Sequence, residues 1–350
     1  MNGAVIDSYQ RVATKPLTFF LLRLLVDGKF HSGETLAQHL GISRTSVSNA
    51  LRGMEDYGLA IYSVRGRGYC LSNPPQWLNT ASINLALGER ASHFKIKILD
   101  SASSSNTLLL QHAAQGAPSG SVLAVEWQSG GRGRMGRVWY TGLGNALTFS
   151  LLWRFEQGLS ALSGLSLVSG VALIRALRAL GIVTAQLKWP NDVVGKQGKL
   201  AGLLIEAQGD MLGPSAVVIG IGLNLSLPHH LLPQINQPVT SLTDIVATHP
   251  EIKVPERNAL LAVILRELHG TLLEFSRHGF AAFRAEWESY HALHNQPAKL
   301  LLPDGSSVVG IARGVTESGA LILETAQGTQ IFHAGEISLT ASGASKNSSF

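Results

Sequence analysis

The chain has 350 residues, 45% hydrophobic and 15% charged, enough to bury a real core and long enough for two or three domains. Its single cysteine, Cys70, excludes an intrachain disulfide and any cysteine-rich metal site, while the formal net charge of +5 points only weakly to polyanionic partners. The apolar run 17–26 is interrupted by Arg23 and lacks a small-residue cleavage site, and 159–180 carries Arg175 and Arg178. Neither reads as a signal peptide or a membrane span, so a cytoplasmic protein without a membrane partner is expected.

Residues 17–27 read as a helix, and Ser32-Gly33-Glu34 opens a second whose Leu36, Ala37 and Leu40 share one face. Gly41-Ile42-Ser43 makes a tight turn. Ser43 then caps a third helix over 44–57, with Val47, Ala50, Leu51 and Met54 at helical spacing and Arg44, Thr45, Ser46, Ser48, Asn49 and Arg52 outward. Two helices joined by a short glycine turn, the second opening with small polar and basic residues, form the pattern of a helix-turn-helix that enters a major groove. Residues 59–71 read as two strands around Arg65-Gly66-Arg67-Gly68-Tyr69, the basic wing of a winged helix. Arg44, Thr45, Ser46, Ser48 and Asn49 are the DNA-contacting candidates on the helix. Arg65 and Arg67 would meet phosphate, which gives salt dependence without sequence choice. The same fold also serves as a protein-docking module. Asn73-Pro74-Pro75 changes the texture of the chain and marks a boundary, giving an N-terminal domain over 1–73.

From 81 to 294 strands and helices alternate, as in one mixed-sheet α/β domain. A strand over 122–127 runs into Gly131-Arg132-Gly133-Arg134-Met135-Gly136-Arg137, followed by Trp139. Arginine offers a planar fork that matches phosphate or carboxylate, and glycine lets the backbone approach an anion; a solvated basic turn or a loop on nucleic acid is the plainer reading. Further strands are expected over 147–153, 199–206 and 217–225, and a helix over 162–180. Lys188-Trp189-Pro190-Asn191-Asp192 forces a turn. Gly202, Gly220 and Gly222 inside strands mark close approach of a ligand or backbone, and together suggest one pocket. Read plainly, Ser104 or Ser105 caps a helix starting near Asn106, Asn191 and Asp192 only shape a turn, and Trp139 and Trp189 belong to the core. The twelve histidines show no metal-ligand spacing, and His229-His230 is expected to face solvent. Residues 296–340 read as short strands over 298–302, 307–315, 320–324 and 329–333, suited to a small SH3-like barrel. The tail over 341–350, rich in serine, glycine and asparagine, is expected to be disordered.

Taken in order, the winged helix, Ser104-Ser105-Asn106, Gln128 with the Gly/Arg loop, 188–192, 199–206, 220–224 and the small C-terminal module resemble the biotin protein ligases of the bifunctional type that also repress the biotin operon. The resemblance covers nearly the full length. It implies a central domain of class II synthetase-like α/β fold, activation of biotin by ATP to biotinyl-5′-AMP, and transfer to a lysine of a biotin carboxyl carrier domain. It also implies biotin-responsive repression by a homodimer on operator DNA. A ligase without repressor activity, a lipoate ligase-like enzyme and a biotin sensor without catalysis are the competing readings.

The resemblance makes Lys199, Arg134 and Arg137 the catalytic candidates. It sets Ser104, Ser105, Asn106, Gln128, Gly131, Arg132, Gly133, Gly202 and Leu204 around biotin. Lys188, Asn191, Asp192 and Asn224 fall to ATP or the adenylate, and Arg313-Gly314 is a candidate for facing the nucleotide. Magnesium is expected to arrive with ATP, with Asp192 its candidate contact and no site fixed by the protein. Two departures stand out. Met135 occupies a position often basic in the family, and the segment 227–242, expected to close over the adenylate, lacks a tryptophan.

Overall fold

The computed structural model describes residues 16–339, so the expected disordered tail lies outside the described residues. Helices α1 (Pro16–Leu24), α2 (Gly33–Leu40) and α3 (Arg44–Leu51) lead to the hairpin β1 (Ile61–Val64) and β2 (Gly68–Leu71). Ser32 and Ser43 cap α2 and α3 by accepting from Thr35 and Ser46 backbone amides, and Gly41 ends α2 in the left-handed region. The helix expected over 44–57 is shorter. Arg52 is extended and Gly53 left-handed at φ 79°, so the helix stops at Leu51 and Met54–Tyr57 forms a 3-10 turn that still buries Met54 and Tyr57.

The N-terminal core is not closed by its own residues. Phe19, Leu22, Leu36, Val47, Leu51 and Leu71 share a cluster with Trp127 and Leu143 of the following segment. The Tyr57 and Trp127 rings lie 4.7 Å apart, and Leu143 N donates to Tyr57 O at 2.7 Å. The stretch between them is strapped down. Leu78 N donates to Glu126 Oε1 at 2.7 Å, Asn79 N to Asn258 Oδ1 at 2.7 Å, and Asn258 Nδ2 to Trp77 O at 3.2 Å. A buried ion pair, Arg257 to Glu126 at 2.8 Å, anchors the strap, with Arg257 also donating to Gln76 O and to Ala146 O. Arg23 stacks over Trp77 at 4.4 Å and pairs with Asp100.

The central sheet has seven strands in the order β3 (Lys95–Ala102), β4 (Ser121–Gln128), β5 (Ala146–Phe155), β9 (Ser215–Asn224), β8 (Gly198–Gly209), β7 (Asp192–Gly195), β6 (Gln186–Lys188). Only β3 and β4 run parallel; the other neighbours are antiparallel. Side chains alternate across a strand, so each face has its own set. Leu147, Phe149 and Leu151 of β5 and Ile219 and Ile221 of β9 pack in the main core with α6 (Leu165–Ala179) and α8 (Arg257–His278). Leu152 and Val218 face the other way, against Leu109 and Ala113 of α5 (Ser105–Ala114). That second face carries the site.

The C-terminal part is a five-stranded antiparallel sheet, order β13 (Gly328–Phe332), β12 (Leu321–Thr325), β11 (Ser307–Val315), β10 (Pro297–Leu301), β14 (Glu336–Leu339). Four strands match the expectation; β14, short and after Gly335, is the addition. Trp189 is buried as expected, and its Nε1 donates to Gly319 O at 3.0 Å, tying this sheet to the central domain.

Candidate active site

A cavity of about 520 Å³ opens on the α5 face of the large sheet, within the size range of small-molecule sites. Register explains the space. Gly202 pairs with Gly222 and Leu204 with Gly220, so one cross-strand pair carries no side chain and its neighbour carries one on β8 alone. A Cβ on Gly222 would come within 2.5 Å of the Trp139 ring, and one on Gly220 would collide with the Asn106 amide. Trp139, expected in the core, instead lies half-buried over this glycine floor and lines the cavity.

At one end Ser104 caps α5, its side chain accepting from Thr107 N at 3.4 Å, which bears out the capping expectation. Ser104, Ser105 and Asn106 are nonetheless buried in the cavity wall. Gln128 Oε1 accepts from Ser105 N at 2.7 Å. Ser150, unremarkable in sequence, lies fully buried with its Oγ 2.7 Å from Ser105 Oγ and 2.5 Å from Asn106 Oδ1. The amide oxygen can only accept, so Ser150 donates to it. Ser105 lines the cavity, where its hydroxyl can both donate to and accept from a ligand.

The Gly/Arg loop folds across the cavity as a narrow hairpin, closed by Trp139 N to Gly131 O at 2.8 Å and Gly133 N to Arg137 O at 2.7 Å. Each arginine has a different partner. Arg132 reaches Glu206 at 3.0 Å, Arg134 Nη1 donates to Asn191 Oδ1 at 3.4 Å, and Arg137 meets Glu336 at 2.5 Å. Of the three, Arg134 alone has no carboxylate partner among the described residues. Burial holds its guanidinium below the ordinary value, opposed by the charges of Glu336 and Asp192; arginine stays charged at any physiological pH. Met135 sits at φ 54°, is 58% exposed and lines nothing. The missing charge therefore falls outside the cavity.

The opposite end is cationic. Asp192 lies 2.7 Å from Lys199 Nζ and 3.5 Å from Lys188 Nζ, with all three side chains largely buried. Lys199 also stands 5.6 Å from the Trp139 ring centre. Among the described residues the cavity wall carries five cationic side chains, Arg132, Arg134, Arg137, Lys188 and Lys199, against the carboxylates of Asp192 and Glu336. Asn191 lines the cavity, but its Nδ2 donates to Leu203 O at 2.7 Å. Asn224 does not. It is buried beside the wall, where Nδ2 donates to Thr240 O at 3.1 Å and Lys199 O at 3.3 Å. Of the segment 227–242, Gln237 and Pro238 reach the wall.

Residues absent from the sequence reading complete it: Leu301 and 336–339 of the C-terminal sheet. Arg313 is not among them, being paired with Glu324 at 2.6 Å. No group of described residues could hold a metal ion, and Asp192, already between two ammonium groups, offers no cage. A magnesium ion carried by polyphosphate would keep most of its ligands from phosphate and water. His229 and His230 are exposed, as expected.

On the N-terminal domain, Arg44, Thr45 and Asn49 are exposed and Ser46 and Ser48 half-buried along α3. Arg65 and Arg67 are exposed at the β1–β2 turn, Arg67 stacked 4.1 Å over Phe30. This basic face and the cavity are separate.

A glycine-floored sheet face, an arginine loop and a helix-turn-helix define a ligase-type domain carrying a DNA-binding module. Family models agree: the helix-turn-helix domain matches residues 18–70, the biotin/lipoate A/B protein ligase family 98–224, and the biotin protein ligase C-terminal domain 293–340. The bifunctional ligase/repressor BirA of Escherichia coli (strain K12) is 36% identical over 91% of this chain and 96% of its own length. That of Bacillus spizizenii is 30% identical over 89% and 94%. A biotin protein ligase from Aquifex aeolicus in complex with biotin and ATP is 28% identical, with a TM-score of 0.59 over 71% of this chain and 99% of that one. The chain belongs to the bifunctional biotin ligase/repressor family.

Proposed function

We infer that this chain is an ATP-dependent biotin protein ligase that doubles as a biotin-responsive repressor, and that both reaction steps occur in the cavity under the Gly/Arg loop. The observation that carries this reading is the joining of a hydrogen-bonding end at Ser105 and Gln128 to a cationic end at Arg134 and Lys199. A ureido ring, which both donates and accepts, suits the first. A carboxylate and a polyphosphate suit the second.

In the first step a biotin carboxylate oxygen bonds to the α-phosphorus of ATP as the bond to pyrophosphate breaks. Two anions must approach, so the protein contributes positioning and fixed positive charge. Lys199 is held in place by Asp192, and Arg134 by Asn191, and both side chains line the cavity. In the second step an uncharged lysine amine of the carrier domain attacks the acyl carbon and AMP leaves. Gly202 and Leu204 form the floor, with Gly220 and Gly222. Gly131 and Gly133 let the loop turn back on itself. Asn224 is assigned to the adenylate, with its Nδ2 bracing the backbone carbonyls of Lys199 and Thr240. Magnesium enters as the companion of ATP.

Repression by a homodimer on operator DNA, with Arg44, Thr45, Ser46, Ser48 and Asn49 in the major groove, is the matching reading of the N-terminal face. A cytoplasmic site of action accords with these substrates; no described helix is long and apolar enough to cross a membrane.

The test is to mix the protein with biotin, magnesium ATP and a biotin carboxyl carrier domain, and to weigh the acceptor by intact mass spectrometry. One ATP-dependent biotinyl addition is expected. No addition by folded protein would turn the reading to a sensor or to another acyl substrate. A gel shift with the chain's own biosynthetic promoter, with and without biotin and ATP, tests the repressor half; no shift at low salt would refute it.

A further inference from the structure

The Gly/Arg loop is held at its first arginine by a carboxylate that lines no part of the cavity. Arg132 Nη2 lies 3.0 Å from both carboxylate oxygens of Glu206 and 3.0 Å from Thr107 Oγ1. Glu206 stands on β8, its side chain 25% exposed, on the row that continues Gly202 and Leu204. Its second partner is Asn106, whose Nδ2 donates to Glu206 Oε2 at 2.9 Å. Ser150 Oγ lies within hydrogen-bond distance of Ser105 Oγ and Asn106 Oδ1, Asn106 donates to Glu206, and Arg132 donates to the same carboxylate from the loop. Glu206 thus gathers donors from the cavity wall and from the loop at one carboxylate.

We propose that Glu206 is a positioning residue: it latches the Gly/Arg loop over the cavity. What occupies the cavity rests on the ligase reading; the latch itself does not. Glu206 never meets substrate. It acts on Arg132, and through the loop sets how long the adenylate stays enclosed. A partly exposed ion pair of this kind changes an equilibrium by about two- to five-fold.

The experiment has two arms. Ligand-free protein is digested briefly with trypsin and cleavage after Arg134 and Arg137 is mapped by mass spectrometry. Glu206→Gln should be cut in the loop about two- to five-fold faster than the parent at unchanged melting temperature, with Glu206→Asp in between. Biotinyl-5′-AMP formed on the enzyme is then chased, and its release should quicken by a similar factor. Arg132→Ala opens the loop from its own side, leaving the sheet intact, and Arg132→Ala with Glu206→Gln together should be no worse than either alone. Equal loop cleavage in parent and Glu206→Gln, or additive losses in the double variant, would overturn the proposal. Protein that makes no adenylate but shows the cleavage difference would refute the ligase reading and leave the latch standing.

Discussion

Two turns of this chain share almost one composition, and the structure uses them in opposite ways. Arg65-Gly66-Arg67-Gly68 ends a two-stranded wing, where both arginines are exposed and neither has a carboxylate partner among the described residues. Gly131-Arg132-Gly133-Arg134 lies across a cavity, with Arg132 on Glu206, Arg134 on Asn191 and, further on, Arg137 on Glu336. Guanidinium groups at a tip without a carboxylate beside them suit a partner that brings its own negative charge, such as the phosphates of a duplex. Guanidinium groups already tied to the protein suit a lid. What distinguishes the two is supplied by residues 57 to 199 positions away, not by the turn.

The comparison breaks first at the floor on which the lid closes. Lys199→Ala should lower adenylate formation by about 10²- to 10³-fold with the fold intact, measured as pyrophosphate release; parent turnover would remove Lys199 from the chemistry. Next is Arg134→Gly, which takes away the one loop arginine without a carboxylate partner. Adenylate release should quicken by about ten- to a hundred-fold, as for a lost charged hydrogen bond, and an unchanged release rate would mean the loop is no lid. Arg137→Ala breaks only the half-exposed tie to β14, so release should rise by about three- to five-fold, and Glu336→Gln should match it. Smallest is the wing. Arg67→Ala should leave ligation untouched and reduce by about one the slope of log affinity for DNA against log salt; an unchanged slope would show that the wing does not touch phosphate.

Much of this was legible in the residues. Ser32, Ser43 and Gly41 declare their caps locally, and the three strand glycines point to one pocket because only a pocket needs bare backbone on adjacent strands. Residue-level roles were harder. Asn224 has the chemistry of an adenine reader, but its direction depends on which face of β9 it ends on and what Thr240 offers there. Trp139 looked like core because nothing in a single chain shows that Gly222 lies beneath it. Glu206, Ser150 and Glu336 carry no local signal; their value comes from strands brought together over long separations. The third helix failed for a plainer reason. Apolar spacing continued through Met54, but Gly53 had already turned the backbone.

The strap between the N-terminal helices and the large sheet has a consequence for gene control. A domain hung on a loose tether samples a volume set by chain statistics, and two such domains adjust to many half-site spacings. Here Glu126, Arg257 and Asn258 grip Gln76, Trp77, Leu78 and Asn79, and Trp127 completes the hydrophobic cluster of the reading head itself. Two copies brought together through their central domains would thus hold their recognition helices at one separation and one angle. Operator geometry would be written in the ligase fold, and a promoter with its half-sites moved by a few base pairs would find no second grip.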